Sequence, residues 1–269
     1  MLRPPAVAGR FYPADAGELT KQIQQYVSAT ASSPKKTVRA CLVPHAGYLY
    51  SGAVAGSVFA ALQLPKRIIV LGVRHFPRGQ PLAILSEGAW QTPLGLAPVD
   101  AELAAELKRA CPLLREDAVA HSTEHSLEVQ LPFLQVLVPE FRFVPVALGT
   151  VRYEELRDVG EAVAQVVAAH EEKVFILATS DMNHYEDDAT TRRKDHQAIE
   201  QILKLDPRGL YDTVRQEKIS MCGVGPAVAT LTATEHLGAT RAELVKYATS
   251  ADVTGDRSEV VGYAGMIFE

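Results

Sequence analysis

The sequence is poor in the features that mark several protein classes. It holds three cysteines in 269 residues, an odd number without a CxxC pair, which disfavours a disulfide framework and a zinc knuckle. No apolar run approaches the roughly 18 residues of a membrane span, and the amino-terminal segment has no apolar stretch typical of a signal peptide. The 27 Lys and Arg form no basic run against 32 Asp and Glu. We therefore expect a cytoplasmic protein with no membrane or nucleic-acid partner.

Several catalytic signatures are missing as well. There is no GxSxG elbow, no GxxxxGK[ST] loop and no GxGxxG after a strand, so a hydrolase triad, phosphoryl transfer on a P-loop and dinucleotide binding have no direct support. The contiguous HExxH zinc motif is also absent. A metal site in this chain would therefore have to be assembled by the fold from separate loops.

The composition is that of a compact globular protein, with 47% hydrophobic and 22% charged residues. With no internal repeat and no long linker, we expect one domain over residues 1–269, with an exposed loop at 29–36. Apolar periodicity predicts strands at 38–43, 68–71, 141–148 and 173–179, helices at 16–28, 52–62, 153–170, 192–204 and 223–237, and an antiparallel edge pair at 243–249 and 260–268. Asp15 and Glu18 resemble a capping box for the first helix.

The predicted strands are continuously apolar, which indicates a sheet covered on both faces, and they alternate with helices, which indicates mostly parallel pairing. We therefore predict an α/β fold, a three-layer sandwich around a mostly parallel central sheet.

Three of the eight histidines follow these strands closely: His45, His75 and His184. Ligands of an open parallel sheet bind beyond the carboxyl ends of its strands, so one site can collect all three. Neutral imidazole is the commonest metal ligand, and His45 and His75 come from separate loops. The alternative for each histidine is a loop or core residue with its hydrogen bonds satisfied.

A second group of polar residues lies in the segment HSTEHSLEVQLPF, residues 121–133. His125 and Glu128, spaced i and i+3, would share one helix face and supply a ligand and a carboxylate, or a base and its orienting partner. The alternative is a solvated helix amino terminus, where the helix dipole favours glutamate.

Cys222 directly precedes the predicted helix at 223–237. The positive potential at a helix amino terminus lowers the pKa of a thiol, which suits a thiolate ligand or a nucleophile. The alternative is a small side chain packed in the core.

An ordered series of segments matches one known family. They are Pro5–Pro13 (PAVAGRFYP), Pro44–Tyr48 (PHAGY), Leu71-Gly72 through His75, His125–Glu128 with Leu131-Pro132, Ser180-Asp181 with His184, and Cys222-Gly223. Together they resemble the Memo family, named for a mediator of ErbB2-driven cell motility, from about residue 4 to the last residue. That family is similar in fold to the LigB-like class III extradiol dioxygenases, which use non-haem Fe(II).

The resemblance implies metal ligands at His45, His75 and Cys222. It places Asp181 and His184 in the same pocket, and it implies an AMMECR family protein and a radical SAM enzyme as partners.

The remaining site predictions concern residues near these ligands. His184 is expected to act as general acid or base, with Asp181 orienting it or holding the substrate, and His125 and Glu128 as further polar catalytic residues. Tyr48 is expected to contact substrate.

The chain departs from the family pattern beside the second histidine. Arg74 and Phe76 stand where relatives commonly carry a small hydroxyl residue and another histidine. Arg74 is expected either to attract an anionic substrate or to form a surface salt bridge.

Three functions follow from these expectations. The leading one is a metal-dependent redox or dioxygenase-like enzyme with one metal ion, Fe(II) before Cu or Zn, and an unknown small-molecule substrate. The alternatives are a non-catalytic metal- or ligand-binding module and a zinc-dependent hydrolase. The identity of the metal and the uptake of dioxygen distinguish them.

Overall fold

The computed structural model describes residues 1–29 and 34–269, so residues 30–33 of the predicted loop at 29–36 lie outside the described residues. Its strands are β1 (Leu2–Arg3), β2 (Ala40–Val43), β3 (Arg67–Val73), β4 (Leu82–Ile84), β5 (Ala89–Thr92), β6 (Gly95–Pro98), β7 (Arg115–Glu116), β8 (Arg142–Leu148), β9 (Val174–Thr179), β10 (His184–Glu186), β11 (Ala242–Thr249) and β12 (Val260–Phe268).

The helices are α1 (Ala16–Ser28), α2 (Tyr48–Ala61), α3 (Ala101–Ala110), α4 (Ala118–Ser122), α5 (Leu131–Leu137), α6 (Tyr153–Ala169), α7 (Asp188–Leu203), α8 (Pro207–Gln216), α9 (Val224–His236) and α10 (Ala251–Thr254). Across the described ranges 1–29 and 34–269, no helix combines the length and the apolar character needed to cross a membrane.

A nine-stranded sheet forms the centre of the molecule, in the order β10-β12-β2-β9-β3-β8-β4-β7, with β11 paired to β12. The four central strands, β2, β9, β3 and β8, run parallel. Alternate residues of β3 enter two separate cores. Ile69 and Leu71 pack with α6 and α9, whereas Ile68 and Val70 pack with α1, α2 and α5. Helices therefore cover both faces of the sheet, and the predicted α/β class is confirmed.

The flanks of the sheet are antiparallel. β11 and β12 pair antiparallel as predicted, but β12 also pairs with β2 and with β10, so it lies inside the sheet and not at its edge. A second sheet of three strands, β1-β5-β6, was not predicted. Its strands, like β4 and β7, have two to four residues, too few for a strand pattern to show in the sequence.

Helix starts follow local capping chemistry. Helix α1 has the predicted bounds, and the Asp15 side chain accepts a hydrogen bond from the Glu18 backbone N–H at 2.9 Å. Helix α2 begins at Tyr48, one turn before the predicted Gly52, because the Tyr48 N–H donates to the Phe11 carbonyl at 2.7 Å. The amino-terminal segment thus takes the place of a side-chain cap and fixes the loop that carries His45.

Candidate metal centre

The carboxyl ends of β2, β3 and β9 bring together side chains that are far apart in sequence. One ligand atom from each of His45, His75 and Cys222 lies within 4.8 Å of the others. The Cys222 Sγ is 3.2 Å from His45 Nε2, although the two residues are 177 positions apart. A zinc ion forms bonds of about 2.1 Å to histidine nitrogen and about 2.3 Å to cysteine sulfur, so one ion can bind two atoms at this separation.

His45 follows β2 and is buried, with its ring fixed from behind. Its Nδ1 lies 2.7 Å from the Thr179 hydroxyl, which also accepts from the Gln130 side-chain amide at 3.2 Å. Burial, followed by the charge of His75, holds the pKa of His45 well below its usual value, so the ring is neutral. With Nδ1 engaged by Thr179, Nε2 is the atom that faces Cys222.

His75 follows β3 and is oriented by Glu124. Its Nδ1 is 2.8 Å from one Glu124 oxygen, and its backbone N–H donates to the other at 2.7 Å. An ionised carboxylate only accepts hydrogen bonds, so Nδ1 carries the proton and Nε2 keeps a lone pair for a ligand. Burial opposes ionisation of Glu124, but the hydrogen bond and charge of His75 lower its pKa to about 2. Such carboxylate–histidine pairs hold metal ligands in register.

Cys222 reaches the site because Gly223 lies against the end of β9. A Cβ on Gly223 would lie 2.5 Å from the Thr179 carbonyl oxygen, so only glycine allows this approach. The predicted lowering of the Cys222 pKa is wrong for the free thiol. Burial, and then the Asp181 carboxylate, raise the Cys222 pKa well above its usual value and outweigh the helix amino terminus. A bound cation reverses this preference, since a coordinating thiol is deprotonated.

Asp181 and His184 border the same cleft. Asp181 Oδ1 accepts from the His45 backbone N–H at 2.8 Å, and its Oδ2 lies 4.0 Å from His45 Nε2. His184 Nδ1 donates to the Ser220 carbonyl at 2.9 Å, so its Nε2 is left as an acceptor. Asp181, His184 and Cys222 form a group with ligand-type atoms within 4.8 Å of one another. Burial raises the pKa of Asp181.

His125 lies in the cleft, but the helix predicted to carry it does not exist there. The segment has no regular structure at His125, turns at Ser126 and Leu127, continues as a 3-10 turn over Glu128–Gln130 and becomes α5 only at Leu131. The His125 ring stacks on His75 with 4.5 Å between ring centroids and 16° between planes. Burial, and then the charge of His45, lower the pKa of His125 to about 4. His125 is therefore a neutral wall of the cleft.

Glu128 is not a site residue, contrary to the prediction. One of its oxygens accepts from Val7 N–H at 3.1 Å and from the Tyr12 hydroxyl at 2.6 Å. The other accepts from Arg3 Nη1 at 2.6 Å and from Ala6 N–H at 2.8 Å. Two bonds to each oxygen use the accepting capacity of a carboxylate, so none is left for a ligand. Glu128 anchors the amino-terminal segment, whose Phe11 ring packs 4.8 Å from the His125 ring.

The predicted contact of Tyr48 with substrate is wrong, and the predicted attraction of an anionic substrate by Arg74 stays a prediction. Tyr48 is buried, and its hydroxyl donates to the Val129 carbonyl at 2.6 Å. The Arg74 Nη1 donates to the carbonyls of Arg78 and Gly79 at 3.3 and 2.9 Å, and among the described residues no carboxylate pairs with it. Arg74 and His75 follow the end of β3 at Val73, and the Arg74 side chain lies against Gly149, just beyond β8.

Glu124, Thr179 and Ser220 are the functional residues that the sequence analysis did not assign. Each holds the Nδ1 of one histidine: Glu124 that of His75, Thr179 that of His45, and Ser220, through its carbonyl, that of His184. Their only sequence signal is position, since Thr179 ends a predicted strand and Glu124 belongs to the segment at 121–133. The sequence spacing favoured Glu128 over Glu124 as the partner of His125, because that prediction placed both residues on one continuous helix.

Asp195 on α7 supports the His184 loop and makes stability depend on pH. It accepts from the Asn183 N–H at 2.8 Å and from the Tyr247 hydroxyl at 2.6 Å, and its burial raises its pKa to about 6. The folded protein thus retains a proton that the unfolded chain loses near pH 4. The Asp195 contribution to the free energy of unfolding therefore falls by about 3 kcal/mol as pH rises from 4 to 6.

In Asp195→Asn this contribution disappears, so the difference in stability between variant and wild type should change across that interval. Urea unfolding at pH 4, 5, 6 and 7 measures it, with the exposed Glu235→Gln as control. Parallel pH profiles for wild type and Asp195→Asn would contradict the assignment.

Comparison with known proteins gives a consistent result. The family model described as Memo-like protein matches residues 3–267. A MEMO1 family protein of Methanopyrus kandleri is 42% identical over 100% of this chain and 99% of its own, and one of Aquifex aeolicus is 41% identical over 99% of each. An uncharacterized protein of Escherichia coli K12 has a similar fold, with a TM-score of 0.55 at 12% identity over 86% of this chain and 99% of its own.

Proposed function

The chain belongs to the Memo-like family. From this premise we propose that it is a metal-dependent enzyme that catalyses a redox reaction, similar to that of a dioxygenase, on a small molecule. The single observation that supports the proposal is the convergence of His45 Nε2, His75 Nε2 and Cys222 Sγ. The Nδ1 atoms of both histidines are engaged from behind, so their Nε2 atoms point into one cleft. Histidines that ligate a metal are commonly held in this way, with the second ring nitrogen hydrogen-bonded to a neighbouring group.

The donor set fits one transition-metal ion. Two neutral imidazoles and a thiolate suit Fe(II), Cu or Zn, and three protein ligands leave coordination positions for other molecules, as in catalytic sites. We propose Fe(II) because the Memo family, which the sequence resembles, is similar in fold to the LigB-like dioxygenases that use non-haem Fe(II). When bound, the metal supplies a Lewis acid and a redox centre for dioxygen and substrate.

His184 and Asp181 are the groups that we propose to handle protons and substrate. His184 has its Nδ1 proton directed at the Ser220 carbonyl, so its Nε2 can take a proton from a substrate hydroxyl or return one. Asp181, whose pKa burial raises, lies between His184 and the ligands, where its carboxyl can hold a substrate hydroxyl. The rings of Phe11 and His125 pack against each other with 4.8 Å between centroids on one side of the cleft.

We also propose the cellular context that the family resemblance implies. The chain would work in the cytoplasm, with an AMMECR family protein and a radical SAM enzyme as partners.

Dioxygen consumption tests the proposed reaction. Protein purified without oxygen and loaded with iron is mixed with a catechol, and uptake is recorded by an oxygen electrode. We expect uptake by the wild type, a loss of at least about a hundredfold in His184→Gln, and no change in His196→Gln, whose ring is exposed on α7. Protein that retains iron but consumes no dioxygen with any catechol would contradict this reaction and favour a binding module.

A further inference from the structure

A second cavity, of about 330 Å³, borders the His184 side of the cleft. Its lining includes Val261, whose Cα pairs with that of His184 between β10 and β12. The next residue, Gly262, exchanges backbone hydrogen bonds with Met182 and Asn183 at 2.8 and 2.9 Å. The cavity therefore lies against the loop that carries Asp181 and His184, and its volume is at the lower end of those that hold small ligands.

Tyr263 is a buried polar side chain without a partner in this cavity. It is 2% exposed, and among the described residues no group hydrogen-bonds its hydroxyl. The oxygen is not sealed from solvent, so the small exposed part of the side chain includes its polar end. Most buried phenols bond a protein group, whereas the Tyr263 hydroxyl is left for solvent or for a molecule bound in the cavity. Tyr263 therefore offers an unpartnered hydroxyl to a molecule in this cavity.

The charge of the lining selects the kind of ligand. Two carboxylates, Asp256 and Glu259, face the cavity together with the phenols of Tyr50 and Tyr263, and none of the described lining residues is Lys, Arg or His. Carboxylates repel an anion and attract a cation, and phenol rings attract a cation to their faces. The groups of His, Cys, Asp and Glu close enough to share a metal ion include neither Asp256 nor Glu259 among the described residues. An organic ammonium fits better than a metal ion.

We propose that this cavity binds the ammonium group of a small amine, with Asp256 and Glu259 as its counter-charges and Tyr263 as a hydrogen-bond partner. The rest of the molecule would extend past Val261 toward His184. Amine binding itself does not need the metal. That the bound amine is the substrate of the cleft rests on the proposed function above, and it names the substrate class of that site.

The test is a titration of metal-free protein with benzylamine, which is an ammonium at pH 7, followed by amide chemical shifts in NMR spectra. We expect saturable shifts at Val261 and Tyr263. Benzyl alcohol, of similar shape but neutral, should bind at least about fivefold more weakly, and benzoate more weakly still, because each lacks the attraction to carboxylates and ring faces.

Matched variants make the result specific. The double variant Asp256→Asn/Glu259→Gln should weaken benzylamine binding at least about fivefold, whereas Glu217→Gln/Glu235→Gln, an equal change of charge at exposed positions away from the cavity, should not. Tyr263→Phe should weaken it by about twofold to threefold. Equal binding of amine and alcohol, or shifts that never saturate, would overturn the proposal. Because no metal is present, such a failure is separate from a failure of iron binding or of oxygen uptake.

Discussion

Cys222→Ser should lower the affinity of the protein for its metal by at least about tenfold. A serine hydroxyl is a far poorer ligand than a thiolate for Fe(II), Cu or Zn, and the two remaining imidazoles would hold the ion alone. The side chains are nearly equal in size, and the surrounding contacts of Gly223 with the end of β9 are unchanged. Elemental analysis of protein purified without chelators, followed by competition with a chromogenic chelator, measures the affinity.

Cys111→Ser is the matched control, because it removes a buried thiol at the end of α3 that belongs to none of the candidate ligand groups of the described residues. His45→Ala should reduce affinity at least as much as Cys222→Ser. Glu124→Gln keeps all three ligands but loses the charge that orients His75, so its affinity should fall between those of wild type and Cys222→Ser. Wild-type affinity in Cys222→Ser would remove the thiolate from the ligand set.

Glu128→Gln should destabilise the fold by about 3–5 kcal/mol, the cost of leaving one member of a buried ion pair without its partner. Arg3 is 2% exposed and Glu128 fully buried, and their side chains meet at 2.6 Å. The glutamine amide would also place a donor where two donors now point at a carboxylate oxygen. The free energy of unfolding in urea measures the loss.

The double variant Arg3→Met/Glu128→Gln separates charge from packing. Removing both charges relieves the uncompensated cation, so the double variant should be more stable than the sum of the two single changes predicts. Arg3 also lies over the Trp90 ring at 3.9 Å, a contact that Met partly preserves. Strict additivity of the two changes would show that the pair is not coupled and that the stability of the amino-terminal segment has another source.

The central fold could be predicted from sequence because its signal is local. The runs 68–71 and 174–178 are apolar without interruption, and they lie in the parallel strands β3 and β9. The antiparallel position of β12 beside β2 could not be predicted, because pairing partners at long range leave no mark in either strand. The short strands β4 to β7 have too few residues to show an apolar periodicity in the sequence.

The histidines of the cleft could be predicted from their positions after the strands. The groups that hydrogen-bond their rings could not. Histidines that follow parallel strands converge, as His45 and His75 do. Which carboxylate orients which histidine depends on the path of loops, and Glu124 and Glu128 are indistinguishable until the turn after His125 is known. The pKa of Cys222 depends on its burial beside Asp181, which the sequence does not show.

The placement of β12 has a consequence for how the molecule acquires its site. The strand of residues 260–268 inserts between β2 and β10, so it joins the strand before His45 to the strand that begins at His184. Contacts between residues this far apart in sequence form slowly, because the chain loses entropy when the long loop closes, before the contact stabilises it. During synthesis, this side of the sheet cannot close until residues 260–268 have left the ribosome. The proposed metal binding would therefore come after the pairing of β12 with β2 and β10, which holds the loops of His45 and His184 together.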